Sequence, residues 1–201
     1  MVAVACTVIG VWLTTARSLW NYPFSFASVA LYGIFFFRIK LYADMALQGI
    51  FALSLAYGAW QWLHGRSAQG EVLVRRLPRR EIAPKLAVAI LAAAAIGALL
   101  ARYTDASLPW ADSALLAGSL VGSFWAARRY MENWSIWIIV DTLYVALYAV
   151  KHAEATAVLY ASFVAMAVVG WRRWRRAEDH QSATDPGTAG AGAPPAAGIV
   201  R

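Results

Sequence analysis

The chain is poor in the residue types on which soluble catalysis and metal chemistry draw. Its 201 residues include one cysteine, three histidines and eleven acidic residues, and only 14% are charged. A single cysteine, Cys6, excludes an internal disulfide, and its place inside an apolar run reads as that of a small packing residue. His64, His152 and His180 fall at or beyond the ends of apolar runs. They leave no Cys/His metal spacing and no Ser-His-Asp set that a membrane span presents. No Gly-rich phosphate loop or Walker motif occurs, so direct drive by ATP is excluded. The chain does not read as an enzyme, and no cofactor is expected.

What it has in excess is apolar and aromatic surface. Hydrophobic residues make up 61% of the chain, with ten Trp, nine Tyr and eight Phe. A soluble domain is nearer half apolar and a quarter charged. The excess comes in runs of about 17 to 23 residues, the length that crosses about 30 Å of hydrocarbon. These features predict an all-α, multi-pass membrane protein. The net charge of +7 does not point to nucleic acid, because the basic residues lie between the apolar runs.

Seven spans are expected, at about Val2–Ser18, Tyr22–Phe37, Leu41–Leu63, Lys85–Tyr103, Ser113–Arg129, Trp134–Val150 and Ala155–Trp174. The first lacks a basic n-region and a small-residue cleavage site, and so reads as a retained span and not a secretory signal. Residues 64–84 are polar and carry five arginines, and read as a loop. Residues 104–112 form a short polar link. From Arg175 the chain turns Gly-, Ala- and Pro-rich, and 175–201 reads as a disordered tail. With the N-terminus outside, about three basic residues lie on the inner side for each one outside, as the positive-inside rule requires. The tail is then cytoplasmic.

A shift of 112 residues aligns the chain with itself without a gap. Gly10 meets Gly122, Arg17 meets Arg129, Asn21 meets Asn133, Gly58 meets Gly170 and Trp62 meets Trp174. Two three-helix units, 1–63 and 113–174, would stand in opposite senses if joined directly, because three is odd. A linker span over 85–104 restores a parallel 3+1+3 arrangement. Parallel repeats about an axis along the membrane normal place a solute site near the midplane between them.

The candidate site centres on the sixth span. Asn133, Trp137, Asp141, Tyr144 and Tyr148 recur at helical spacing and share one face. A carboxylate near mid-span is expensive unless it faces protein, water or a ligand. The face therefore looks into a polar cavity. The alternative for Asp141 is a supporting acid held by a hydroxyl or an indole N–H of a neighbouring helix. Its repeat mate is Val29, so the carboxylate breaks the symmetry. Trp137 offers a face for a planar ring, while Trp134 reads as an interfacial anchor. Asn133 and its mate Asn21 each begin a span, where an amide also serves as a cap. Gln48, in the third span, is a further candidate for solute contact. Its mate Tyr160 again reads as polar and inward. Asp44 and Glu132 are expected to be solvated or paired near the interfaces. Thr7 and Ser119 are expected to bond their own helix backbone.

Trp20-Asn21-Tyr22-Pro23-Phe24, Lys40-Leu41-Tyr42-Ala43-Asp44 with Gln48, and Asn133-Trp134 with Trp137 and Asp141 resemble the PnuC family of nicotinamide riboside transporters. The resemblance covers residues 4–174. It implies a fold related to full-length SWEET transporters, a homotrimer in the bacterial inner membrane, and facilitated diffusion of a vitamin trapped inside by a cytosolic kinase. Relatives that carry thiamine or riboflavin leave the vitamin open. The residues themselves leave two other classes open: a channel, which needs a polar stripe through both repeats, and a membrane receptor or scaffold.

Overall fold

The computed structural model describes residues 1–67, 70–105 and 108–184. Seven helices follow in order: α1 (Val2–Thr15), α2 (Asn21–Arg38), α3 (Tyr42–His64), α4 (Arg79–Tyr103), α5 (Pro109–Ala127), α6 (Asn133–Val150) and α7 (Glu154–Thr184). Among the described residues there is no strand, only single bridges between Arg66 and Val72 and between Arg75 and Tyr130. Three helices are long and apolar enough to cross a membrane: Arg79–Tyr103, Asn133–Val150 and Glu154–Ala183. The helices α2, α3 and α5 carry more polar side chains, such as Ser25, Ser28, Ser54, Ser119 and Ser123, and these line an internal cavity. A helix that gives one face to a wet interior has a lower mean hydropathy than one surrounded by lipid.

Some boundaries differ from expectation. The helix α4 begins at Arg79, not Lys85, and takes in Pro84. The helix α5 begins at Pro109, four residues early, because proline suits a first helical turn. The expected disordered tail is wrong over its first part: α7 runs on as helix to Thr184. Trp174 and Ala177 are buried there, and Arg76 clamps Glu178 through two hydrogen bonds of 2.5 and 2.8 Å. The stretch that reads as the end of a span thus continues as helix and packs Trp174 and Ala177 in one cluster with Val72 and Val74. The expectation of disorder for 185–201 lies outside the described residues.

Four helices end in the same way. Arg17, Lys40, Arg129 and His152 are the non-glycine residues at positive φ among those described. Each lies two positions after the last residue of a helix, one past the C-cap, and is held by a pair of backbone bonds. After α1, Arg17 N–H donates to Thr14 O at 3.0 Å and Ser18 N–H to Leu13 O at 3.0 Å. After α5, Arg129 N–H donates to Ala126 O at 3.0 Å and Tyr130 N–H to Trp125 O at 2.9 Å. The ends of α2 and α6 repeat the pattern at Lys40 and His152. This is the left-handed helix stop, used here without the usual glycine. The four residues form two pairs, 17 with 129 and 40 with 152, at the 112-residue offset.

The offset also orders the packing between α1 and α7 and between α3 and α5. Trp62 Nε1 donates to Ala126 O at 3.0 Å, and Trp174 Nε1 donates to Thr14 O at 3.1 Å. Donors and acceptors are both related by 112, so each half donates an indole bond to the other. Tyr22 meets Trp62 edge to face at 5.6 Å, and Trp134 meets Trp174 in the same way at 5.5 Å. The two indoles of Trp62 and Trp174 lie 5.8 Å apart where the halves meet. Their exposures are 1% and 0%, and they anchor the main core cluster.

Truncation of either indole should therefore remove both burial and a bond across the halves. Trp62→Ala and Trp174→Ala are each expected to destabilise the fold by about 3–5 kcal/mol. Thermal melting in detergent checks this. A silent variant of either tryptophan would contradict an equal role for the two.

Candidate functional site

A cavity of about 780 Å³ lies between α1–α3 and α5–α7. No residue of α4 lines it. From α6 the wall takes Asn133, Trp134, Trp137, Asp141, Tyr144 and Tyr148, so all five positions of the expected polar face border one space.

Each sits there for a local reason. Asn133 begins α6, and its Nδ2 donates to Tyr130 O at 2.6 Å. Its mate Asn21 makes the equivalent bond to Ser18 O, also at 2.6 Å. The expected cap is not found, because neither helix start has a side-chain cap bond and the amide instead ties back to the preceding turn from its place on the cavity wall. Asn133 is 0% exposed, and its Oδ1 has no hydrogen-bond partner, which leaves a buried acceptor on a residue of the cavity wall. An unmet buried acceptor is expensive, so a solute donor there gains strongly. Trp137 lies over Gly122, where an added Cβ would come within 3.0 Å of the indole. The mate of Trp137 is Ser25, which stands over Gly10 in the first half. The same backbone approach carries a hydroxyl on one side and an indole on the other.

Further along α6 the rings of Tyr144 and Tyr148 stack at 6.0 Å, and each stacks on Tyr160 of α7, at 4.5 and 5.4 Å. The Tyr144 hydroxyl is within reach of Ser119. The first half has a two-ring version, Tyr32 on Phe36 at 6.2 Å. Asp141 lies one turn before Tyr144. It is 5% exposed. Among the described residues its carboxylate has neither a hydrogen bond nor an ion pair. The supporting partner allowed for in the sequence, a hydroxyl or an indole N–H, is not found.

Gln48 is a correction. It does not line the cavity. Its Cβ lies 3.8 Å from where a Cβ on Gly33 of α2 would stand. The cavity face of α3 runs through Asp44, Leu47, Phe51, Ser54, Gly58 and Trp62, and Gln48 is one residue, about 100°, past Leu47. Its mate Tyr160 does line the cavity. Asp44, expected near the interface, is on the wall, as are Asp112 and Lys151. Asn21, read only as a cap, is there too. The period of α3 around Phe51 carried the signal for Asp44. Glu132 does pair near its interface, accepting from Leu77 N–H at 3.0 Å. Thr7 bonds its own helix at Ala3 O, as expected, but also pairs with Ser28 at 2.6 Å. Among the described residues, no group of three His, Cys, Asp or Glu could hold a metal ion.

The end of the cavity at Trp62 and Trp174 is covered by residues 70–78. Val72 and Val74 are buried in one cluster with Tyr22, Trp62, Trp134 and Trp174. The repeat-related arginines hold this segment by its carbonyls. Arg17 donates to Val72 O at 3.0 Å, and Arg129 donates to Gly65 O and to Leu73 O. Burial, with Arg75 nearby, holds the Arg129 guanidinium below its usual pKa.

The sequence model of the nicotinamide mononucleotide transporter family matches residues 1–176. The chain belongs to that family. Its three helices long and apolar enough to cross a membrane make it a multi-pass membrane protein. It is 27% identical to the nicotinamide riboside transporter PnuC of Escherichia coli (strain K12), over 81% of this chain and 78% of that protein. It is 29% identical to the riboflavin/roseoflavin transporter RibM of Streptomyces davaonensis, over 79% of this chain and 75% of that one. The crystal structure of the vitamin B3 transporter PnuC superposes with a TM-score of 0.72, covering 89% of this chain and 81% of that one at 23% identity. That likeness gives the fold, a membrane transporter fold.

The arginine contacts predict how this end of the cavity is sealed. With Cys6 replaced by serine, Val74→Cys should be labelled slowly by a membrane-impermeant maleimide. Adding Arg129→Ala should raise the labelling rate about tenfold, since a buried arginine bond to a carbonyl is worth about 1.5–3 kcal/mol. Unchanged labelling would contradict a closure held by Arg129.

Proposed function

We propose that this chain carries nicotinamide riboside across the bacterial inner membrane by facilitated diffusion, with the imported riboside trapped by phosphorylation in the cytosol. The observation that carries the reading is a cavity of solute size walled by stacked aromatic rings, an unmet amide oxygen and an unpaired carboxylate. The flat pyridinium ring suits Trp137 and the Tyr144–Tyr148–Tyr160 stack. The ribose hydroxyls suit Asn133 and Asp141. Family membership and the likeness to PnuC of E. coli support the class of solute. Riboflavin is the second reading, favoured by the similarity to RibM.

On this reading all seven helices span the membrane, in two parallel three-helix units, 1–63 and 113–174, with 85–104 as linker and a SWEET-like arrangement. The paired helix stops and the reciprocal Trp62 and Trp174 bonds support it. The N-terminus is outside and the 65–78 segment cytoplasmic, in line with the basic residues around that segment. A homotrimer follows from the resemblance. The exposed apolar side chains of α4, among them Val88, Ile90 and Leu91, are free for lipid or for neighbouring protomers. No Walker motif argues for ATP drive, and among the described residues Asp141 makes no ion pair, which supports simple equilibration.

A phosphate group asks for basic residues, and one cation, Lys151, lines the cavity among the described residues. The mononucleotide should therefore be refused, despite the family's name. In proteoliposomes the wild type should take up labelled nicotinamide riboside and not the mononucleotide. Trp137→Ala and Tyr144→Ala should each lower the initial rate about tenfold, as loss of one ring stack does. Gln48→Ala should stay within about twofold, the range of a substitution that leaves the site intact. Unchanged uptake in both aromatic variants would remove the site assignment.

A further inference from the structure

The cavity wall is unbalanced in charge. Asp44, Asp112 and Asp141 line it against the single cation Lys151, and no arginine lines it among the described residues. Asp44 and Asp112 lie in the first turns of α3 and α5, where a carboxylate also complements the helix dipole. Asp141 has no such local role. It lies in the middle of α6, nine-tenths buried, on the wall, with no hydrogen bond or ion pair among the described residues. A carboxylate removed from water without a partner is costly, and a cation brought to it offsets that cost. The same turn of helix begins the Tyr144–Tyr148–Tyr160 stack, and aromatic faces attract cations. In the first half the equivalent positions are Val29, Tyr32 and Phe36, so only one half offers a charge beside a ring stack.

Building on the transporter reading above, we infer that Asp141 is the charge selector of the cavity. It supplies the counter-charge for one positive charge carried on a planar ring. The site takes flat monocations and refuses neutral rings of the same shape. Asp44 and Asp112 set the sign of the potential at the end of the cavity remote from Trp62. Lys151 keeps that end from accumulating cations without regard to shape. The selection divides the vitamins left open by the resemblance: nicotinamide riboside and thiamine carry a cationic ring, and riboflavin does not.

The test compares nicotinamide riboside with its dihydro form, which has the same size and hydroxyls but an uncharged ring. Initial uptake into proteoliposomes is measured for both, with protein-free vesicles subtracted. The wild type should favour the cation about tenfold or more, the scale set by a desolvated charge pair. Asp141→Asn should collapse that ratio towards one. A wild type that takes both forms equally, or a variant that keeps the ratio, overturns the inference. If Asp141→Asn takes up neither form, Asp44→Asn/Asp112→Asn decides: the ratio must fall, and an unchanged ratio overturns the inference. If the wild type carries neither riboside, thiamine is compared with riboflavin. Thiamine alone sustains charge selection and removes the riboside reading. Riboflavin alone, or no uptake of any of the four, overturns charge selection.

Discussion

The contact on which the rest of the structure depends is the crossing of two indoles. Trp62 and Trp174 each donate to a carbonyl at the end of the opposite half, and their rings meet between the halves. Thr14 O and Ala126 O lie in the last turns of α1 and α5, where each already accepts from the backbone of the helix stop, Arg17 N–H and Arg129 N–H, and takes the indole N–H as a second donor. In a membrane an indole N–H has little water to turn to, so the carbonyl's second lone pair is the partner it needs. Each half completes the other's helix end. The crossing also fixes how far apart the two three-helix groups stand, and so the width of the cavity above it.

A symmetric scaffold would give a symmetric cavity, and this one is not. The backbone keeps the 112-residue offset through its helix stops, the amide ties of Asn21 and Asn133 to the preceding turns, and its glycine approaches at Gly10 and Gly122. The side chains depart from it where they border the cavity. At the 112-residue offset Ser25 corresponds to Trp137 and Val29 to Asp141. Structural positions are duplicated, and chemical positions are concentrated in the second half. The ring stack and the mid-span carboxylate that a solute would meet therefore come from α6 and α7.

Much of this was legible in the sequence. Helical spacing placed Asn133, Trp137, Asp141, Tyr144 and Tyr148 on one face, because a span that must hide polar groups has one direction in which to hide them. The repeat showed through the matched Arg, Asn, Gly and Trp positions, since those hold the turns and the crossing. Gln48 was misplaced because a polar residue in a span shows that it avoids lipid, not which neighbour it faces. It packs at α2, one residue off the cavity face. The tail was misjudged because Arg172 to Arg176 look like the end of a span, and the docking of Trp174 and Ala177 under a distant segment leaves no local mark. Asp44 was discounted for its place near an interface, although the cavity reaches that far.

The account holds that one cavity, closed at one end by the crossed indoles and charged from α6, is where the solute sits. A structure determined with nicotinamide riboside bound tests this most directly. The account predicts the pyridinium ring against the Tyr144 and Tyr160 faces, with the Asp141 carboxylate within reach of the riboside and the Asn133 amide oxygen bonded. A riboside bound outside this cavity, or an Asp141 carboxylate paired within the protein and turned away from the bound solute, would contradict it.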